Sequence, residues 1–456
     1  DVYKRQELNI NMRPILIKNA TIVNENSRKV CDVLIRDKRI EKIDKEISVD
    51  YRCDNIEAEK LFLIPGLIDD QVHFREPGLT HKGNIYTESM AAVAGGVTSF
   101  MEMPNTIPNA ITNEELEKKY LIGHNNSFGN YSFYLGASND NIEEVKRLDK
   151  KNICGVKIFM GSSTGNMLVD KERALNDIFK NSEVIITTHC EDEQTVNSNL
   201  KIAQEKYGDN IPFDQHPIIR SREACYKSSS HAISLAKEHN ARLHVLHIST
   251  KEELELFQDI PLKEKNITCE ACLHHMWFSD GDYEKLGSLI KWNPAIKTID
   301  DREAIIDAVN KNIIDVIATD HAPHTIEEKS NNYMGAPSGG PLIQYSLPLL
   351  LEMNKLNKFS LEKIVQKTSH SVSELFQIKD RGYIREGYFA DIVLFDQEAE
   401  TKVSEEKILS KCNWSPFKNE TFHSKIIHTI VSGQHIYKNG QINGEPSGVR
   451  MEFNRD

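Results

Sequence analysis

The alternation of apolar and polar positions divides the chain into three parts. Near the N-terminus, strand-like runs at 15–23, 32–35 and 39–43 are separated by turn-forming residues, which predicts a small antiparallel sheet. From about residue 65 to about 385 the pattern changes, and apolar runs of strand length alternate with segments of helical periodicity. The strand candidates are 66–73, 97–103, 131–137, 153–159, 184–189, 242–247, 267–272 and 314–320, with helical patterns such as 113–122, 220–239 and 300–310 between them. Such alternation predicts a parallel α/β fold, and eight strand–helix units over roughly 250 to 300 residues is the size of a closed (β/α)8, TIM-type barrel. Residues 390–395 and 426–437 return to strand character. The two chain ends are therefore expected to build a small β-sandwich domain (12–64 with 386–444) beside a catalytic barrel at 65–385.

Composition narrows the class. A chain of 456 residues can bury one large barrel with a satellite domain. Its formal charge of -12 argues against nucleic acid or an anionic membrane as the main partner, since both attract basic surfaces. The eight cysteines show no disulfide-framework spacing, and neither a secretory leader nor a long apolar span is present. A reducing cytoplasm is the expected setting. Residues 1–11 precede Met12 and the first hydrophobic pattern, so they are expected to be a non-native leader with Met12 as the native start.

Five strand-like runs end in residues able to bind a metal ion: LIDDQVHFREPG at 67–78, GVKIFMG with Lys157, VIITTHCED with His189, LHVLHIST with His247, and VIATDHAPH with Asp320. Catalytic residues of a TIM-type barrel sit at the C-terminal ends of its strands, where all of these fall. His73, His189, His247 and Asp320 could together hold Zn²⁺ while leaving a position for water, whose pKa the ion lowers toward neutrality. One histidine at a strand end means little in a chain with 17 of them; the joint placement carries the inference. Lys157 lies between Val156 and Ile158 on a strand. It is either the partner of a buried carboxylate or a desolvated neutral amine able to react with CO₂, forming a carbamate that bridges two cations.

These motifs carry a resemblance. PGLIDDQVHFREPG, MPNT at 103–106, VKIFMG, HCED, HVLHIST, NPAIK at 293–297, DHAPH and ADIVLFD at 390–396 resemble the amidohydrolase superfamily and, within it, the long-chain bacterial dihydroorotases. The likeness runs from Met12 to about Gly440. It implies reversible zinc-dependent hydrolysis of (S)-dihydroorotate to N-carbamoyl-L-aspartate in pyrimidine (UMP) synthesis. It further implies that His73 ligates a more buried zinc, His189 and His247 a more exposed one, and carboxylated Lys157 bridges both. Asp320 would bind metal and shuttle the proton between the attacking hydroxide and the leaving ring nitrogen. Arg75, Asn105 and His324 match the family's clamp on the substrate carboxylate, and Asn293 a residue near the pyrimidine ring. Relatives are often dimers, and a homodimer is the assembly the resemblance suggests.

One position departs from the pattern. Most relatives read D-x-H-x-H on the first strand, whereas here Gln71 stands where the first ligand histidine belongs. A glutamine oxygen is a weaker zinc ligand than imidazole, so the buried metal is held loosely, held through Gln71, or absent. Two zinc ions remain the expectation, one the alternative. A related cyclic amidohydrolase acting on a hydantoin, dihydropyrimidine or allantoin would not need Arg75 with His324. A silent scaffold of the same fold is favoured only by Gln71. CEACLHH at 269–275 looks like half a zinc finger, but strand alternation splits its residues between two faces, and a structural or substrate-side role is expected. GSSTGN at 161–166 lacks the lysine–serine ending of a phosphate loop, and 327–340 is expected to close over substrate.

Overall fold

In strand Ile15–Asn24 a bulge between Ile17 and Ala20 keeps Ile15, Ile17, Ala20 and Ile22 buried in one core, although strict alternation would send the second pair outward. Asn19 makes the bulge with a left-handed backbone (φ 59) and donates its N–H to Asp32 Oδ1 at 2.8 Å. This strand pairs with three others in a nine-stranded sheet of the computed structural model, which describes residues 13–161 and 167–455. The expected leader and residues 162–166 of the GSSTGN stretch lie outside those residues.

The sheet runs in the order Arg39–Asp44, Ser27–Arg36, Ile15–Asn24, Phe62–Pro65, Ile392–Asp396, Lys425–Val431, Gln434–Lys438, Gln441–Ile442, with Asp54–Glu57 also paired to Ile15–Asn24. Both chain ends therefore enter one hydrogen-bonded unit, through the pairing of Phe62–Pro65 with Ile392–Asp396. The run expected at 426–437 is a hairpin rather than one strand, because Ser432 and Gly433 both turn through left-handed backbone (φ 44 and 78). A Cβ on Gly433 would lie 2.0 Å from the Asp37 carbonyl oxygen, so only glycine fits this turn.

All eight expected barrel strands form, and every neighbouring pair is parallel. They are Leu67–Val72, Val97–Glu102, a third strand split into Asn130–Phe133 and Leu135–Gly136, Val156–Phe159, Ile186–His189, Leu243–Val245, Ile267–Cys272 and Val316–Ala318. The last meets the first through a bridge between Val72 and His321 and the 2.7 Å bond from His73 N–H to His321 O. The third strand breaks at Tyr134, whose ring is buried with Ile68, Met101 and Ile185 and whose hydroxyl donates to Asp70 O at 2.9 Å. Beyond the expected boundary at 444, residues 448–455 pack on the barrel. Met451 and Phe453 join that same cluster, where strands begin, and Met451 N–H donates to Tyr131 O. These residues carry no periodicity, so pattern alone left them unassigned. Among the described residues no helix is long and apolar enough to cross a membrane.

A buried ion pair fixes one corner of the barrel rim. Lys119, on helix Asn113–Asn126, reaches Glu102 Oε2 at 3.1 Å and donates to Met103 O at 2.8 Å, just before Asn105. Burial pushes the Glu102 carboxyl up to about 7 even beside this lysine. Lys119→Met should therefore strand a buried carboxyl and cost about 3–5 kcal/mol at neutral pH. The variant should lose less on acidification, because the cost of a raised carboxyl pKa shrinks as pH falls from the folded value toward the unfolded one near 4.5, and little of it is left at pH 5. Urea unfolding at pH 5 and pH 8 checks the sign: an equal loss at both would place the damage in packing instead.

Candidate functional site

All ten residues singled out in the sequence line one cavity of about 490 Å³: Gln71, His73, Arg75, Asn105, Lys157, His189, His247, Asn293, Asp320 and His324. The barrel brings them together by departing from ideal strand geometry. A register shift between Asp69 and Val72 lets Gln71 point to Asp320 while the preceding Asp70 points to His244 in the barrel interior. Arg75, His247 and Asp320 take left-handed backbone (φ 72, 38 and 49), a conformation that non-glycine residues adopt at a cost and that concentrates at functional sites. The turn at His247 is held by its N–H, which donates to Glu270 Oε1 at 2.9 Å.

At one pole the nitrogens and oxygens converge. His189 Nδ1 lies 3.0 Å from His247 Nε2, close to the roughly 3.4 Å separating two ligands of a tetrahedral zinc. The other nitrogen of His189 faces Glu191 Oε2 at 2.9 Å, so Nδ1 is the nitrogen turned to the cavity. Burial would raise the Glu191 carboxyl, but Arg220 and His189 together hold it well below the usual range, as an anion that orients the ring. Across the pole, Asp320 Oδ1 stands 3.2 Å from His73 Nε2 and 3.3 Å from Gln71 Nε2. His73 Nδ1 bonds Asn105 Oδ1 at 2.8 Å, which makes Asn105 a brace for that imidazole as well as part of the wall.

Lys157 has no carboxylate within ion-pair distance among the described residues; its Nζ sits 4.7 Å from the centre of the Phe159 ring. The buried-salt-bridge alternative is thus not what forms. Burial pushes its amine down to about 7, within reach of the neutral, nucleophilic form. His247 Nδ1 is buried without a partner. An imidazole-and-oxygen donor set with a desolvated lysine fits a divalent cation of the zinc type.

The opposite pole is cationic. Arg75 donates through Nε to Pro323 O at 2.9 Å, leaving the rest of its guanidinium beside His324 Nε2 at 3.0 Å. Lys82, which the sequence reading missed, lines the same wall, 3.0 Å from both His324 Nδ1 and Glu328 Oε1. It lies on no strand, so no strand end marks it. Asn293 Oδ1 is buried without a hydrogen-bond partner. The segment expected to close over substrate is already tied down: Lys329 donates to Pro337 O and Gly339 O, and Lys291 to Tyr333 O and Ala336 O. Pro337, Ser338 and Gly339 form part of the cavity wall.

Of the CEACLHH run, Cys269 bonds Ile313 O on the outside, whereas Glu270 and Cys272 point inward. His274 stacks on Trp292 at 4.7 Å, and the two cysteines do not converge. Orientation partners such as Glu191, or Glu88 with His321 at 2.8 Å, were also missed. HCED offered a signal for the first, a carboxylate two residues after a strand-end histidine; nothing local marks Glu88.

The Amidohydrolase family model matches residues 62–436. A dihydroorotase of Methanosarcina acetivorans is 31% identical over 97% of this chain and 95% of its own length. One from Methanosphaera stadtmanae is 31% identical over 94% and 98%. Among solved structures, an L-hydantoinase from Arthrobacter aurescens superposes with a TM-score of 0.90 at 24% identity, covering 95% of this chain and 98% of that one.

Proposed function

The chain belongs to the amidohydrolase family, and within it we propose a dihydroorotase that interconverts (S)-dihydroorotate and N-carbamoyl-L-aspartate. The observation that carries this reading is the two-ended cavity, with Arg75, Lys82 and His324 at one pole and the converging His189, His247 and Asp320 at the other. A cyclic amide bearing a carboxylate matches both ends; an uncharged hydantoin or dihydrouracil would leave Arg75, which has no carboxylate within ion-pair distance among the described residues, without a counter-charge.

His73, His189, His247, Asp320 and carboxylated Lys157 would hold Zn²⁺, with Gln71 beside them, and the bound ion would supply an acidified water and polarise the ring carbonyl. The residues do the rest. Arg75 offers a planar fork to the carboxylate, and His324 and Lys82 fix its second side. Asn293 presents an unpartnered carbonyl oxygen able to accept a ring N–H. Asp320 accepts the proton of the attacking water and passes it to the departing ring nitrogen. Residues 65–385 form the catalytic unit, 12–64 with 386–444 its β domain, and the enzyme acts as a cytoplasmic homodimer in UMP synthesis.

The test is the initial rate with dihydroorotate, hydantoin and dihydrouracil on zinc-loaded protein. Preferential turnover of dihydroorotate is expected; turnover of the uncharged rings alone would overturn the reading of the cationic pole. A second expectation concerns Gln71. Gln71→His should add up to one zinc equivalent per chain, measured by elemental analysis after desalting, because imidazole replaces a weak amide donor. An unchanged zinc content would mean that position 71 does not face the ion.

A further inference from the structure

Beneath the cavity floor, Asp70, His244 and Glu270 converge from the first, sixth and seventh barrel strands, with one donor atom of each within 4.8 Å of the others. All three are fully buried. We propose that they form a second divalent-cation site, distinct from the donor set that opens on the cavity and independent of the dihydroorotase reading.

The hydrogen bonding of His244 argues for a cation. Thr268 Oγ1 lies 3.2 Å from Leu243 O and 2.9 Å from His244 Nδ1. With its one proton given to the carbonyl, the hydroxyl accepts from Nδ1–H, which turns Nε2 toward the carboxylates, where it either carries a second proton or offers its lone pair to a cation. Nε2 is 3.3 Å from Asp70 Oδ2 and 3.7 Å from Glu270 Oε2, yet none of these atoms makes a hydrogen bond, and Asp70 Oδ1 has no partner either. Buried carboxylate oxygens without hydrogen bonds need a positive charge beside them, either a proton on Nε2 or a bound cation. The same separations bracket the roughly 3.4 Å between ligands that a cation holds at about 2.1 Å in tetrahedral geometry.

Charge balance points the same way. Among the described residues no lysine or arginine lies within ion-pair distance of either carboxylate. A divalent ion on two carboxylates and a neutral imidazole gives a neutral cluster. One nitrogen with oxygen donors suits Zn²⁺ or Mn²⁺. Such an ion would tie three strands together across the barrel. It would also brace the catalytic floor, since the other oxygen of Glu270 accepts from His247 N–H, and Cys272 Sγ links Glu270 Oε1 (3.4 Å) to Gln71 Oε1 (3.6 Å).

The experiment uses the full chain, stripped with a chelator, reloaded with Zn²⁺ and desalted. Asp70→Asn and Glu270→Gln, both near-isosteric, are expected to hold about one zinc equivalent less than the parent by elemental analysis. Crystals of the parent should give an anomalous peak at the zinc edge among the three side chains. Parent stoichiometry in both variants together with no peak would overturn the proposal and leave an imidazolium shared between two carboxylates. Should neither variant fold, the anomalous map of the parent decides alone. A peak there in protein that fails to hydrolyse dihydroorotate would leave this site standing while the catalytic reading falls.

Discussion

Asp320→Ala is expected to lower kcat for dihydroorotate by about 1,000-fold or more while the thermal midpoint stays near that of the parent. General acid–base catalysis by a positioned carboxylate contributes about 10² to 10⁴ in rate, and this residue also supplies a donor to the cation pole. Its Oδ1 lies 3.2 Å from His73 Nε2 and 3.3 Å from Gln71 Nε2, so it sits where the two halves of the rim meet. The strained backbone at Asp320 (φ 49) argues that position is maintained for chemistry, because alanine there keeps the same strain without the carboxylate. Asp320→Asn separates the two contributions, since it retains the shape and one oxygen but cannot take a proton. Equal collapse of both variants with zinc content unchanged would assign the loss to proton transfer. A rate within tenfold of the parent in either variant would remove Asp320 from the mechanism.

The eight strands were legible because apolar runs alternate with helical ones; His73, Lys157, His189, His247 and Asp320 were candidates because barrel strands end at the active face, the other five candidates came from the family resemblance, and all ten line one cavity. What remained hidden has physical reasons. A bulge cannot be read from alternation, so nothing in LIDDQVHFREPG announced that Asp70 and Gln71 would both point into the barrel on different levels. Partners such as Arg220 for Glu191 and Glu88 for His321 are non-local, and their positions follow from packing of helices onto the barrel rather than from any short pattern. Residues 447–455 have no periodicity because they are held by single pairings at Tyr131 and by Met451 and Phe453, not by a helix or a sheet face. Lys157 shows the limit of composition arguments most plainly. Its residue type alone favours a buried salt bridge, and only its surroundings, burial with no carboxylate in ion-pair distance among the described residues, give the neutral amine that a carbamate needs.

Arg75→Lys should raise KM for dihydroorotate about 10- to 100-fold with a much smaller change in kcat. The lost interaction is the planar two-point contact to the substrate carboxylate, and a hydrogen bond to a charged group is worth about 1.5–3 kcal/mol. The geometry makes lysine a poor substitute beyond its shape. Arg75 spends Nε on Pro323 O and places Nη2 against His324, so one side chain both anchors the loop after the eighth strand and reaches the ligand. A lysine ammonium lacks this fixed fork, and its charge would fall among the existing cation Lys82 and the His324 ring without the geometry that orders them. Lys82→Met removes a cation from the same pole but no fork, and a smaller rise in KM is expected. Dihydrouracil supplies the internal control: it has no carboxylate, so its slow turnover should be indifferent to position 75. If Arg75→Lys instead lowered kcat for both substrates equally, Arg75 would be acting through the loop that carries Asp320 and His324, and the clamp would have to be reassigned to Lys82.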